Sequence, residues 1–298
     1  MIDLHMHTIY SDGDKSVCEL FKLCENRKLK YISITDHNSV SAYYDNDLIN
    51  NDIYSGNIIV GCEFNVKIGN RAFEIIGYNF DVDMIQDWIN KYYCEKRVRD
   101  CNKKIYYRYV DILNKIGIRY NVDNITYLEE GSVRPETPIW NEIVRYPENR
   151  EIIGDDNFES IVIFSRKCVM NPDSPFFLDR ASQYPDVQDV VDLIHRAGGL
   201  AFFAHPFEYK FDDIINFMDD LVKLTDLDGI ECYHPSSENG EYNILLQYAK
   251  DNDLYVSGGS DYHGDIKFDI DVGIGKGNLC ISSDIIQDWI GLYKRGSL

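Results

Sequence analysis

MIDLHMHTIYSDGDKSVCELFKLCENRKLKYISITDH, residues 1–37, reads as a strand, a helix and a second strand. The outer segments, MIDLHMH and YISITDH, have the composition of strands. Between them Ser16 and Glu19 stand at capping-box spacing. Val17, Leu20, Phe21, Leu23 and Cys24 then mark one apolar face of a helix. Both strands end in costly side chains: His5 and His7 with Asp12 shortly after, then Asp36 and His37.

The alternation continues outward. NIIVGCEF (57–64) and AFEIIGY (72–78) read as further strands, and strand and helix alternate again from GGLAFFAHP (198–206) through GIECYHP (229–235) to YVSGGSDYHG (255–264). A closing helix is expected at SDIIQDWIGLYKR (283–295). Repetition on this scale predicts an α/β fold with a parallel sheet or barrel built from 1–80 and 190–298. Residues 81–189 break the pattern: a long helical stretch is followed by an irregular one holding most of the prolines. They are expected to form an inserted, mainly helical subdomain covering the substrate.

Composition sets the outer bounds. The 298 residues are 44% hydrophobic and 27% charged, the profile of a globular chain able to bury a large core. No apolar run is long enough for a membrane span, and titratable residues begin at Asp3, unlike a secretory signal, so a cytoplasmic location is expected. The eight cysteines include no C-x-x-C pair and are expected to be reduced thiols. A formal charge of −20 argues against membrane surfaces and long nucleic acids. The stretch Glu95–Arg119 is the exception, with eight Lys or Arg against three acids, so it carries +5 and the remainder −25. Tyr106, Tyr107 and Tyr109 lie within it, either as base-stacking rings or as the half-buried face of a basic amphipathic helix.

In a strand, residues two apart share a face, so His5 and His7 point the same way, as do Asp261 and His263 if their strand runs on. Asp36, His37, Glu63, Glu74 and His205 also fall at or near strand ends, where parallel α/β folds collect functional groups. Crowded carboxylates lose hydration and repel one another unless cations neutralise them. A mixed imidazole and carboxylate set suits zinc, manganese or iron, and nine donors exceed what a single ion needs, so two or three divalent ions are expected. Asp36 is carried as a catalytic candidate, although an Asp at such a junction commonly caps a turn. His234 reads equally as a proton donor or substrate contact and as a turn-stabilising residue. His195 reads as a helical surface residue.

Taken in order, H-x-H-T, T-D-H, G-x-E, A-H-P and G-S-D-x-H resemble the PHP family, named for polymerase and histidinol phosphatase domains, over most of the chain. The resemblance implies a distorted (β/α)7 barrel with a trinuclear metal site hydrolysing phosphate esters. It implies one metal on His5, His7, Glu63 and Asp261, a second on Glu63, His205 and the residue at Glu74, and a third on Asp12, His37 and His263. Glu74 stands where related sequences usually have His. GSVRPETPIW (131–140) resembles a segment of the branch acting on nucleoside 3',5'-bisphosphates and short RNA, which puts Arg134 forward as a phosphate contact; Glu136 departs from that branch's His.

The function expected is hydrolysis of a small phosphorylated substrate, a nucleotide, by attack of a metal-bound hydroxide. The alternatives are a metal-binding module without catalysis and a histidinol-phosphate-type monoesterase.

Overall fold

The computed structural model describes residues 1–290 except 126–135, 170, 172, 179, 238 and 239. Its strands are β1 (Ile2–Asp3), β2 (Tyr31–Ile32), β3 (Asn57–Ile58), β4 (Gly61–Ile68), β5 (Arg71–Tyr78), β6 (Leu200–Phe203), β7 (Gly229–Tyr233) and β8 (Tyr255–Gly258). Helices of eight residues or more are α1 (Val17–Asn26), α2 (Val82–Tyr92), α3 (Glu95–Ile116), α4 (Glu136–Ile143), α5 (Val187–Arg196), α6 (Ile214–Leu224) and α7 (Tyr242–Asp251). The chain divides into two compact units, 1–89 with 184–298, and 90–183. No helix among the described residues is long and apolar enough to cross a membrane.

In the first unit β1, β2 and β3 form one parallel sheet, and β4 to β8 form a second in sequence order. The second sheet is mixed, which corrects the expectation of parallel strands throughout. Only two residues, Gly69 and Asn70, separate β4 from β5, and a two-residue link can join only antiparallel neighbours. Gly69 takes φ +60°, as such a turn requires. β5 therefore runs against both β4 and β6, while β6, β7 and β8 are parallel. Ladder pairing among the described residues gives these two sheets and no closed ring. Isolated bridges, Met6 to Tyr262 and His37 to Glu63, join the two sheets outside the regular ladders.

The helices cover the sheets as their patterns require. Ser16 and Glu19 complete the capping box of α1, which buries Val17, Leu20, Phe21 and Cys24. A core of Ile2, Leu4, Ile76, Tyr78, Phe202, Ile281 and Trp289 draws on both sheets and on the short helix Gln287–Ile290. The expected closing helix begins with a 3₁₀ turn over Ser283–Ile286 and continues as α-helix over Gln287–Ile290; its remaining residues, 291–295, lie outside the described residues. Asp3 fastens the first strand to the last: its carboxylate accepts from Ser260 N (2.8 Å), Ser260 Oγ (2.6 Å) and Gly273 N (2.7 Å).

The second unit packs Ile105, Tyr109 and Leu113 of α3 with Ile139 and Ile143 of α4 and Phe164. The long helical stretch of this region is two helices, broken at Cys94 by extended backbone (φ −59°, ψ 150°). Tyr109 is core, Tyr106 is partly buried and Tyr107 is exposed.

Candidate metal centre

β1 hands directly to Leu4–His7, whose alternation sends Leu4 and Met6 into the core and turns His5 and His7 the other way. Both imidazoles are fully buried. The His5 C=O accepts from Asp261 N of the adjacent segment at 2.8 Å, and the His5 N–H donates to Asp3 Oδ1, two residues back, at 3.3 Å. The approach is so close that a Cβ on Gly259 would lie 2.3 Å from His5 N, so only glycine fits there. His205 and Asp261 both adopt positive φ, 27° and 54°, which non-glycine residues avoid unless the surroundings impose it.

Glu63 is the hub. Its Oε2 lies 3.2 Å from His5 Nε2, 3.3 Å from His7 Nε2 and 3.1 Å from His37 Nδ1, and its Oε1 lies 2.8 Å from His205 Nε2. Asp261 Oδ1 faces His5 Nε2 (3.5 Å), His7 Nε2 (3.2 Å) and His263 Nδ1 (3.4 Å). Asp12 Oδ1 faces His263 Nε2 (3.2 Å), His37 Nε2 (3.7 Å) and His7 Nδ1 (3.8 Å). Glu74 joins from β5, with Oε2 3.3 Å from His205 Nε2 and Oε1 3.7 Å from His37 Nδ1. The nine residues expected as metal donors thus lie together. Four sets of three or four among them have their donor atoms within 4.8 Å of one another: His5, His7, Asp261; His5, Glu63, His205; His37, Glu63, Glu74; and His7, Asp12, His37, His263.

These residues fit divalent cations. His5 Nε2, His7 Nε2 and His37 Nδ1 are buried without a hydrogen-bond partner although each faces a carboxylate, an arrangement costly unless another acceptor of lone pairs enters. Donors on one tetrahedral ion with bonds near 2.0–2.1 Å sit about 3.3 Å apart, close to the spacings around Glu63 and Asp261.

Without cations, protons carry the compensating charge. Burial opposes protonation of His7 and His205, yet Asp261 and Glu63 raise His7 to about 9, and Glu63, Glu208 and Glu74 raise His205 to about 10. Burial alone would lift Glu63, but His5, His37 and His205 hold it well below the usual carboxylate range. Glu74 behaves oppositely: burial and the charge of Glu63 push it up to about 8. Burial lowers His37 to about 4.

Asp36 stands apart from the cluster. Its oxygens accept from Thr8 N (2.8 Å), Thr8 Oγ1 (2.7 Å) and Ser11 Oγ (2.6 Å), which shapes the loop after His7. His234 lies at the cluster, with Nε2 3.4 Å from Asp261 Oδ2 and Nδ1 accepting from Ser236 N (3.1 Å). Arg134 lies outside the described residues. Glu136 is buried in the helical unit, where its carboxylate takes Arg180 and Ser165 Oγ (3.3 Å). His195 is partly buried rather than a bare surface residue, with Nε2 2.8 Å from Asp228 Oδ2.

Three participants were not expected. Glu231 is fully buried, its Oε1 2.9 Å from His5 Nδ1 and its Oε2 accepting from His205 N at 2.8 Å. An acid inside the apolar strand GIECY is the signal that could have found it. Lys267 ends on Asp261 Oδ2, and Tyr209 Oη accepts from Glu74 N at 2.9 Å. Neither carries a signal in sequence, because both arrive through turns fixed only by tertiary contacts.

Known proteins resemble this chain in sequence and in fold. The 5'-3' exoribonuclease of Haemophilus influenzae is 24% identical over 299 residues, covering 96% of this chain and 97% of the relative. The 3',5'-nucleoside bisphosphate phosphatase of Chromobacterium violaceum is 24% identical over 292 residues, 91% and 90% of the two chains. Among solved structures, one assigned as a metal-dependent phosphoesterase from Bifidobacterium adolescentis superposes with a TM-score of 0.67 at 19% identity, covering 98% of this chain and 96% of the other; it shares the fold. The PHP domain model matches residues 3–255, which takes in seven of the nine donors, all but Asp261 and His263 on the extension of the final strand. By that match over most of its length, this chain belongs to the PHP domain family.

Proposed function

We propose that this chain is a metal-dependent phosphoesterase that hydrolyses a small phosphorylated nucleotide, either a nucleoside 3',5'-bisphosphate or a short oligonucleotide. The carrying observation is the convergence of three buried, unpartnered imidazole nitrogens on one oxygen of Glu63. The activities of the exoribonuclease and bisphosphate phosphatase relatives support the substrate class. A net charge of −20 favours short anions over long ones.

His5, His7, Glu63 and Asp261 would hold one divalent ion, Glu63, Glu74 and His205 a second, and Asp12, His37 and His263 a third. Such ions supply an activated water and neutralise charge on the phosphoryl oxygens. The protein's part is to fix the donors and to move protons. Glu231 locks the ring of His5. His234 Nδ1 accepts the Ser236 amide, so the proton of its neutral ring sits on Nε2, beside Asp261, where it can serve a departing oxygen. The bridges Met6–Tyr262 and His37–Glu63 support reading the two sheets as arcs of a distorted (β/α)7 barrel with this centre at one end.

The test is phosphate release from a panel of mononucleotides, bisphosphates and short oligonucleotides with zinc, manganese or iron supplied. His5→Ala and Asp261→Ala are expected to abolish turnover while far-UV circular dichroism is kept. Full activity in either variant overturns the assignment, and metal uptake by the unaltered protein with no turnover of any substrate favours a non-catalytic module.

A further inference from the structure

Resting on the reading that the substrate is a nucleotide, we propose that Phe268 is the platform on which the substrate's base stacks. Phe268 is 90% exposed, more than any other large apolar side chain among the described residues; Ile49 follows at 61%. A ring of this kind ordinarily buries much of its surface in a core or an interface.

A loose loop would account for such exposure, but this segment is pinned. Gly264–Lys267 form a 3₁₀ turn that Phe268 closes in helical conformation (φ −59°, ψ −16°). Asp265 N donates to Asp14 Oδ2 at 2.8 Å, Lys15 Nζ lies 3.1 Å from Asp265 Oδ2, and Asp14 N donates to His263 O at 3.2 Å. Gly264, at φ +76°, leaves room for the Asp14 carboxylate where any Cβ would collide at 1.6 Å. Beyond the ring, Ile270 N donates to Lys267 O at 2.9 Å and the Ile270 side chain is buried. The turn is held on both sides and still presents the ring to solvent.

The position relative to the metal centre follows from the neighbouring residue. Lys267 ends its side chain on Asp261. A lysine side chain of about 6 Å, its contact with the carboxylate and one Cα step of about 3.8 Å place the Phe268 backbone within about 13 Å of Asp261, the scale of a nucleotide. Successive side chains of a 3₁₀ turn diverge by about 120°, so Phe268 does not face directly away from Lys267. The centre itself, built among the described residues largely from imidazoles and carboxylates with one ammonium, is suited to phosphate. Stacking on a single ring supplies affinity for any base, with purines ahead of pyrimidines by their larger faces.

The experiment compares adenosine 3',5'-bisphosphate with glycerol phosphate, which lacks a base, on the metal-loaded enzyme. Phe268→Ala is expected to reduce the preference for the nucleotide, as the ratio of the two kcat/KM values, by about tenfold through KM, and Phe268→Trp to restore it. An unchanged ratio in Phe268→Ala overturns the proposal, as does failure of Phe268→Trp to restore a lowered one. A readout independent of turnover separates this from the phosphoesterase reading: in the metal-loaded Phe268→Trp protein, adenosine 3',5'-bisphosphate should quench the indole emission added over that of the unaltered protein, and glycerol phosphate should not. Quenching without hydrolysis keeps the platform and sinks the enzyme; hydrolysis of the nucleotide without quenching does the reverse.

Discussion

His5 Nδ1 lies 2.9 Å from Glu231 Oε1, with both side chains fully buried. The carboxylate thereby keeps the proton on Nδ1 and leaves Nε2 directed at Glu63 and Asp261. Glu231→Gln preserves size but weakens that hold, and metal affinity is expected to fall about 10- to 100-fold. Competition with a chromophoric chelator measures it. Unchanged affinity would mean that packing alone orients the imidazole.

Loading the centre should release protons. In the cation-free protein at pH 7, Glu74 (about 8), His7 (about 9) and His205 (about 10) are protonated, and divalent ions bind only the deprotonated forms. Affinity should therefore strengthen with rising pH, and the release should shrink as the pH passes through these values. Calorimetry of metal binding at pH 7 in two buffers of different ionisation enthalpy reads the number directly. Release of no protons contradicts the charge arrangement described for the centre.

Glu74 tests how far the centre tolerates a carboxylate where the resemblance implies an imidazole. Glu74→Ala is expected to lose one equivalent of bound metal and to lower turnover by about 100-fold, since an ion in that place contributes several kcal/mol of charge stabilisation. Glu74→His should keep the stoichiometry and shift preference from manganese toward zinc, because imidazole is the softer donor. Elemental analysis of the purified variants, beside their phosphate release, decides between a ligand and a bystander.

Away from the centre, His195 and Asp228 give a pH-dependent contribution to stability. The Asp228 carboxylate, which outweighs partial burial, raises His195 above its ordinary 6.5. Stabilisation by this pair is fully present below 6.5 and is lost as the pH rises through the folded value. Both partners are partly exposed, so it amounts to about 1 kcal/mol or less. His195→Gln should lower Tm by about 2 °C at pH 5.5 and by less at pH 9. Equal shifts at both pH values would assign the loss to packing.

Much of this molecule was legible before its structure. The two-residue spacing of His5 and His7 gave their common face, Ser16 and Glu19 gave the start of α1, and the strand-end positions of Glu63, His205 and Asp261 pointed to one site. What escaped depended on partners distant in the chain. The sequence left Asp36 open between a reactive acid and a turn cap because Thr8 and Ser11, which donate to its oxygens, lie 28 and 25 residues away. Lys267 could be placed only once the pinned turn after His263 was known. The reversal of β5 was written in Gly69–Asn70, a two-residue hairpin signal that the surrounding strand and helix alternation obscured. The short ladders of β1, β2 and β3 were not legible, because strand composition fixes extended backbone but not how many residues find a partner.

The pairing of the first strand's extension with the last has a bearing on biosynthesis. Asp261 N reaches His5 O, and the two halves of the His5–His7–Asp261 set are made at opposite ends of translation. A nascent chain that has emerged only as far as the Gly61–Tyr78 hairpin already owns Glu63 and Glu74 with His5, His7 and His37, but lacks His205, Asp261 and His263. Contacts of such long sequence separation form late, so full loading of the centre should await the segment around Asp261 rather than guide the folding of what precedes it.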